Sequence, residues 1–240
     1  MARRIRLTLY QGRIGHGVPD GDLRQIADYE PDFTILPEYF WVNPGTADQN
    51  SAAADFESSL KSIEKLSGKL SGYLVSGTTI EPADGALYNT CYILKGGEFI
   101  GKYRKINLYG REREILTPGN EYYVEDLGAV RIGILICADN LQFSSFIKMR
   151  NLSVEIIFAP TFSITNPDDT PGSKLERDRK IFLKGAKAAD AVLAKCCSVG
   201  TVFGHQANGR SLICDADGFI YRNDEESEKV VKVINTEVEI

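Results

Sequence analysis

Histidine is scarce: the 240 residues hold two, His16 and His205. A zinc site with three histidine ligands therefore cannot be built within one chain, and a two-cysteine, two-histidine site would consume both. A Ser-His-Asp triad would depend on one of the pair. Long apolar runs are also missing. No stretch approaches the roughly 18 apolar residues of a membrane-crossing helix, so no membrane partner is expected. There is no basic excess. Lys+Arg is 28 and Asp+Glu is 33, a net charge of −5, which argues against nucleic acid as the main partner. The five cysteines are an odd number without disulfide-framework spacing. A chain of this length can bury a core without disulfides. The five therefore read as free thiols in a reducing, cytoplasmic compartment. The opening MARRIRLTLYQG lacks a long apolar core and a small-residue cleavage site, and reads as mature chain. No metal or cofactor is expected.

Apolar residues make up 43% and charged residues 25%, a globular balance. With no repeat, linker or low-complexity segment, residues 1–240 read as one domain. Ile5, Leu7 and Leu9 alternate as in a strand over Arg3–Tyr10, and a short helix is expected near Leu23–Tyr29. Phe33–Leu36 reads as a buried strand stopped by Pro37. Residues 51–70 are helical in spacing, and Tyr73–Ile80 is a strand. Leu87–Leu94 and Glu98–Leu108 form a hairpin at Lys95-Gly96-Gly97. Val130–Cys137 is the most apolar run, expected as a central strand covered on both faces. Ser144–Asn151 reads as a helix and Val154–Ala159 as a strand ended by Pro160. A long helix is expected over Lys174–Lys195. Strands follow at Cys196–Val202, Arg210–Cys214, Phe219–Tyr221 and Val230–Val238, with a turn at Asp215–Gly218. Asp224–Lys229 reads as a solvated charged loop. Gly12, Gly15 and Gly17 are spaced in reverse of a dinucleotide fingerprint and read as a plain loop. Strands alternating with helices, together with hairpins, indicate an α/β layered fold with mixed sheets.

Three segments place a reactive side chain on or just after a strand, where open α/β sheets put their sites. Glu38 follows an apolar strand and a proline; in apolar surroundings its pKa rises, which suits a general base. Lys105 lies in the alternating run Tyr103–Asn107, where an ammonium can donate to a developing oxyanion. Cys137 ends the most apolar strand, with the N–H groups of the next turn free for an oxyanion. Asp139 is either an N-cap or a site residue. Tyr39, Phe40 and Trp41 either line a pocket mouth or pack at a layer edge. His205 is a candidate pocket residue in a loop.

Glu38, Lys105 and Cys137 together supply a base, a cationic donor and a nucleophile without histidine. In this order, within ILPEYF, KYRKINL, LTPGNE and RIGILICAD, they resemble the nitrilase, or carbon–nitrogen hydrolase, superfamily. Milder similarity runs through EIIFAPT, the long helix and GRSLICDADGFI. The resemblance implies a four-layer α-β-β-α sandwich with two mixed sheets. It implies that Cys137 attacks an amide or nitrile carbon, and that Glu38 takes the thiol proton and later activates water. Lys105 and the backbone N–H of Ala138 would bind the oxyanion, and Tyr39 and Phe162 would contact substrate. A second glutamate precedes the PG of LTPG: Glu112 stands six residues before Pro118 and Glu114 four. Glu112 is expected to support Lys105, and Glu114 to lie by the substrate or pair with a surface arginine. The family's aromatic and arginine after the cysteine are missing, since the chain reads Ala138-Asp139-Asn140-Leu141. Phe162 stands nearest a family tryptophan.

The expected activity is hydrolysis of a non-peptide C–N bond, in an amide or carbamoyl amide of a small molecule, through a cysteine thioester. The alternatives are acyl transfer from that thioester, or a catalytically silent interaction protein. The expected partners are a small amide and water. A homo-oligomer, dimer or higher, is expected from the apolar Phe143, Phe146, Ile147 and Met149 after Cys137. Substrate choice is assigned to loops 41–50, 109–118 and 162–173.

Overall fold

The structure, a computed structural model, describes residues 3–240; Met1 and Ala2, part of the segment read as mature chain, lie outside the described residues. The chain begins with strand β1 (Arg4–Gln11), helix α1 (Asp20–Tyr29) and strand β2 (Phe33–Ile35). Helices α2 (Gln49–Ala52) and α3 (Phe56–Ser67) precede strands β3 (Tyr73–Ala83), β4 (Ala86–Lys95) and β5 (Glu98–Arg104). Then come helix α4 (Glu112–Ile115), strands β6 (Val124–Asp126) and β7 (Arg131–Ile134), helix α5 (Phe143–Asn151) and strand β8 (Ile156–Thr161). Helices α6 (Pro171–Asp178) and α7 (Lys184–Ala189) lead to β9 (Val192–Cys197), β10 (Gly200–Val202), β11 (His205–Ala207), β12 (Leu212–Cys214), β13 (Phe219–Arg222) and β14 (Lys232–Glu239).

Two six-stranded sheets result, ordered β14-β1-β2-β3-β4-β5 and β13-β12-β9-β8-β7-β6, with β10 and β11 as a separate hairpin. Each is mixed: β1, β2 and β3 are parallel in the first, and β7, β8 and β9 in the second. Alternation sorts the side chains into layers. On β8, Ile156 and Phe158 face the other sheet, where Leu7, Leu9, Phe33 and Ile35 meet them. Their neighbours Ile157 and Ala159 face α5 and α7 through Phe146, Met149 and Ala186. On the far side α1 and α3 cover the first sheet with Ile26, Ile63 and Leu66. The result is the expected four-layer α-β-β-α sandwich of two mixed sheets.

The elements differ from the sequence expectation in instructive places. Pro160 does not end β8 but sits inside it, opposite Cys196 of β9. The paired register with β7 stops at Phe158, so no sheet bond to that side is lost at Pro160. β7 is not central: it is next to the edge strand β6, though buried on both faces by the other sheet and the helices. The long helix stops at Ala189, because Asp190 adopts a left-handed conformation with φ 56° and caps it; the rest of the expected helix becomes β9. A π-helical turn at Arg179–Leu183 widens its middle. Nor is the Asp224–Lys229 run wholly solvated, since buried Glu228 accepts from Lys174 Nζ at 2.6 Å. Of the apolar residues on α5, Phe146 and Met149 complete the core while Phe143 and Ile147 are exposed.

A buried ion cluster ties the α6 helix to the second sheet. Asp178 accepts from Arg210 at 3.0 Å and Arg222 at 2.8 Å, and Lys195 Nζ lies 3.5 Å away. Removing the carboxylate strands buried cations, a loss of about 3–5 kcal/mol. Asp178→Ala should lower unfolding free energy in urea by that amount; a loss under about 1 kcal/mol would mean the cluster is redundant.

Candidate active site

In the first sheet β5 runs the same way as β2, because β3, β4 and β5 are joined by two antiparallel steps. The carboxyl ends of β2 and β5 therefore open on one edge, carrying Glu38 and Lys105. The ends of the parallel strands β7 and β8 deliver Cys137 and Phe162. The site thus forms at strand carboxyl ends of both sheets, as α/β sheets favour.

Each residue is held by its backbone. After β2, Pro37 and Glu38 press against β3, where a Cβ on Gly77 would lie 2.2 Å from the Pro37 carbonyl oxygen. Tyr39 then turns with φ 58°, and its N–H donates to Thr78 Oγ1 at 2.9 Å. Lys105 is one residue past the last paired residue of β5, and its N–H donates to the Asn89 carbonyl on β4 at 2.9 Å. Cys137 has φ 43°, a left-handed conformation costly for a residue with a Cβ and common at functional turns. It opens a short 3-10 turn, Cys137–Leu141. Asp139 clamps that turn. Its Oδ2 accepts from the Ile136 N–H and the Tyr103 hydroxyl, both at 2.9 Å. Its Oδ1 accepts from the Asn107 N–H at 2.8 Å and Asn107 Nδ2 at 2.9 Å. It is thus both a cap and a strut between the cysteine turn and the lysine segment.

At the centre Lys105 Nζ donates to Glu38 Oε1 and to Glu112 Oε2, each at 2.8 Å. All three side chains are buried. Glu112 also accepts from the Tyr109 N–H at 2.8 Å and from the Tyr39 hydroxyl. The Phe162 N–H donates to Glu38 Oε2 at 2.9 Å. The Cys137 thiol faces Glu38, and its Sγ is 3.6 Å from the Phe162 carbonyl oxygen. Cys137 alone of the four keeps partial exposure. Ala138, buried beside it, is the second residue of the 3-10 turn, where the first N–H groups lack partners within the turn.

Burial raises the Glu38 pKa; Lys105 opposes the rise and Glu112 adds to it. Glu112 shifts the other way: burial resists, but the Lys105 charge and bonds from Lys105, Tyr39 and Tyr109 hold it down. For Lys105 burial favours loss of the proton, yet Glu38, Cys137 and Glu112 outweigh it and raise its pKa. Burial, then the Glu38 charge, raises Cys137 well above a free thiol. These directions favour a neutral thiol beside an ammonium held by the Glu112 carboxylate, so a thiolate at Cys137 requires a base to take the proton.

The structure therefore brings together Glu38, Lys105, Glu112, Cys137, Ala138, Tyr39 and Phe162. Phe162 enters through its backbone, with its ring edge-on to Tyr39 at 5.9 Å. Phe40 and Trp41 pack with the α1–α3 layer, whereas Tyr39 belongs to the site. Glu114 is exposed. The α4 turn places it on the opposite side from buried Glu112, and among the described residues it forms no ion pair with an arginine. His205 is exposed on the β10–β11 hairpin. Phe203 at that hairpin's tip packs edge-on against Tyr39 at 5.1 Å, and Asn89 bridges the two carboxylates; neither was singled out from sequence. The signal for Asn89 was a lone amide within LYNTCYIL.

A charge-assisted bond to Lys105 contributes about 1.5–3 kcal/mol, or roughly one to two decades in rate if fully expressed in the transition state. Glu112→Gln should lower kcat/KM on an amide by that factor while Glu114→Gln leaves it near wild type. A large loss at Glu114 would overturn this assignment.

Residues 22–236 match the carbon-nitrogen hydrolase family. Human omega-amidase NIT2 is 32% identical over 114 residues, 43% of this chain and 37% of that protein. A nitrilase from Pyrococcus abyssi is 43% identical over 68 residues, 28% of this chain and 26% of that protein. These alignments span less than half of each relative. Among solved structures, a carbon-nitrogen hydrolase from Helicobacter pylori G27 superposes with a TM-score of 0.81 at 17% identity, covering 98% of this chain and 88% of that one. The amidase from Nesterenkonia sp. AN1, bearing the acetamide moiety of fluoroacetamide on its active-site cysteine, gives 0.76 at 17% identity, covering 98% and 90%. With a family match across most of the sequence and the same fold in these structures, the chain belongs to the carbon-nitrogen hydrolase family.

Proposed function

We propose that the protein hydrolyses the C–N bond of a small linear amide or carbamoyl amide through a thioester on Cys137. The observation that carries this reading is the Lys105 ammonium, 2.8 Å from both Glu38 and Glu112, beside the one partly exposed thiol. An ammonium has three N–H donors. Two meet the carboxylates, leaving one for the substrate oxygen.

The reaction follows from these positions. Glu38 takes the Cys137 proton as sulfur attacks the amide carbon. The oxyanion that forms is bound by Lys105 and the Ala138 N–H, a contribution of the kind worth about 2.7–4 kcal/mol per donor. Collapse breaks the C–N bond, and the proton on Glu38 passes to the leaving amine. Glu38, again a base, takes a proton from water as it attacks the thioester. The second oxyanion collapses to a carboxylic acid, and the proton returns to sulfur. Glu112 keeps Lys105 protonated and aimed throughout. The amidase and omega-amidase relatives support amides as the substrate class.

Cys137→Ala should abolish both turnover and covalent capture of a haloacetamide. The other four cysteines are buried, and replacing each singly should leave the chemistry intact. Turnover surviving in Cys137→Ala would sink the reading.

The five thiols are unpaired, which supports a reducing compartment such as the cytoplasm. We also propose a homo-oligomer formed through α5, supported by exposed Phe143 and Ile147 on that helix and exposed Leu141 in the turn before it. Light scattering at micromolar concentration should give at least twice the 26.6 kDa chain mass; a monomer mass contradicts the proposal.

A further inference from the structure

Two buried carboxylates share one ammonium in this site, so with both ionised the cluster of Glu38, Glu112 and Lys105 carries one uncompensated negative charge. Like charges this close drive one of a pair to keep its proton. Glu38 cannot serve as base once protonated. A neutral donor touching both carboxylates would relieve the conflict without changing the charge.

Asn89 on β4 occupies that place. Its Nδ2 donates to Glu38 Oε1 at 2.9 Å and to Glu112 Oε1 at 3.0 Å. An amide nitrogen has two protons, one for each carboxylate. Asn89 is fully buried, and its Oδ1 has no hydrogen-bond partner among the described residues. The amide is therefore oriented by the carboxylates and not by a bond on its other side. The bond to Glu38 also fixes which oxygen does what. Oε1 is occupied by Lys105 and Asn89, whereas Oε2 meets the Phe162 N–H, whose carbonyl lies by the thiol.

We propose that Asn89 is a positioning residue that holds Glu38 ionised and rotationally fixed beside Glu112, by donating one amide proton to each carboxylate. The proposal rests on the reading of Glu38 as base and Cys137 as nucleophile. The titratable groups facing Glu38 are Lys105 after β5, Glu112 on α4, Cys137 on its 3-10 turn, and the Tyr39 hydroxyl. None of them is removed by changing Asn89, and the Lys105 N–H keeps its bond to the residue-89 carbonyl whatever the side chain.

The sign follows from the chemistry. Glu38 works ionised, and donors favour the ionised form. Losing Asn89 Nδ2 raises the Glu38 pKa further, so activity is lost as pH falls and recovered as pH rises above the new value. The test compares wild type with Asn89→Leu and Asn89→Ala, following kcat/KM on an amide and the rate of Cys137 alkylation by chloroacetamide from acid to alkaline pH. In both variants the acid limb should move up by about one pH unit. The loss should be about tenfold on that limb, with convergence toward wild type at alkaline pH. In a Glu112→Gln background, where the carboxylate repulsion is gone, the same Asn89 changes should cost much less. A uniform loss at every pH, full additivity with Glu112→Gln, or failure of both variants to fold would make Asn89 a scaffold residue and overturn the proposal. Wild type that neither turns over amides nor alkylates at Cys137 would instead overturn the underlying reading of the site.

Discussion

The Lys105 ammonium is the point on which the site depends. A buried cation is unstable without partners, and Lys105 has two carboxylates within 2.8 Å. Those partners come from different parts of the chain: Glu38 follows β2, Glu112 sits on α4 and Lys105 follows β5. The ion triad therefore ties three loops of the first sheet together. In return the pair of anions keeps the lysine charged, and the lysine keeps Glu112 ionised. Desolvation and Coulomb attraction nearly oppose each other here, which is why additional N–H donors from Tyr109, Phe162 and Asn89 matter to the balance.

The second sheet contributes Cys137, and the two halves meet through backbone as much as side chain. Cys137 adopts a positive φ three residues past the end of β7, as Tyr39 does after Glu38. Both turns are strained for residues with a Cβ. Surrounding structure over-determines each: Thr78 Oγ1 holds the Tyr39 N–H, and Asp139 holds Ile136, Tyr103 and Asn107 around the cysteine turn. Phe162 closes the junction, donating its N–H to Glu38 and accepting from the thiol through its carbonyl. The geometry of Glu38 relative to the Cys137 sulfur is thus set by main-chain bonds between the sheets.

Strand and helix identities were legible where a period was strong, as in β1, β3, α3 and the β4–β5 hairpin. They were misread where a local signal competed with pairing. Pro160 reads as a stop in isolation, but its missing N–H is harmless where β7 has already ended. The helical pattern beyond Ala189 broke because Asp190 accepts the left-handed conformation. Glu228 sits in a run of charges that looks solvated, yet Lys174 draws it into the interior. Each error arose because a neighbour distant in sequence decided the outcome.

For the site, sequence alone placed Glu38, Lys105 and Cys137 at or near strand ends, because reactive residues beside apolar runs and prolines stand out without any tertiary knowledge. It favoured Glu112 over Glu114 on the spacing to Pro118, with no local feature to decide between them. Only the fold separates them, since a single helical turn after Tyr109 points one carboxylate at buried Lys105 and the other at water. Only the fold shows that Phe162 acts through its backbone, or that Asn89, a lone amide in an apolar strand, bridges two carboxylates 51 and 23 positions away. Residue type and local pattern determine which chemistry is available. The distances and burial that decide protonation depend on segments brought together by two sheets packing face to face, and no local pattern carries that information.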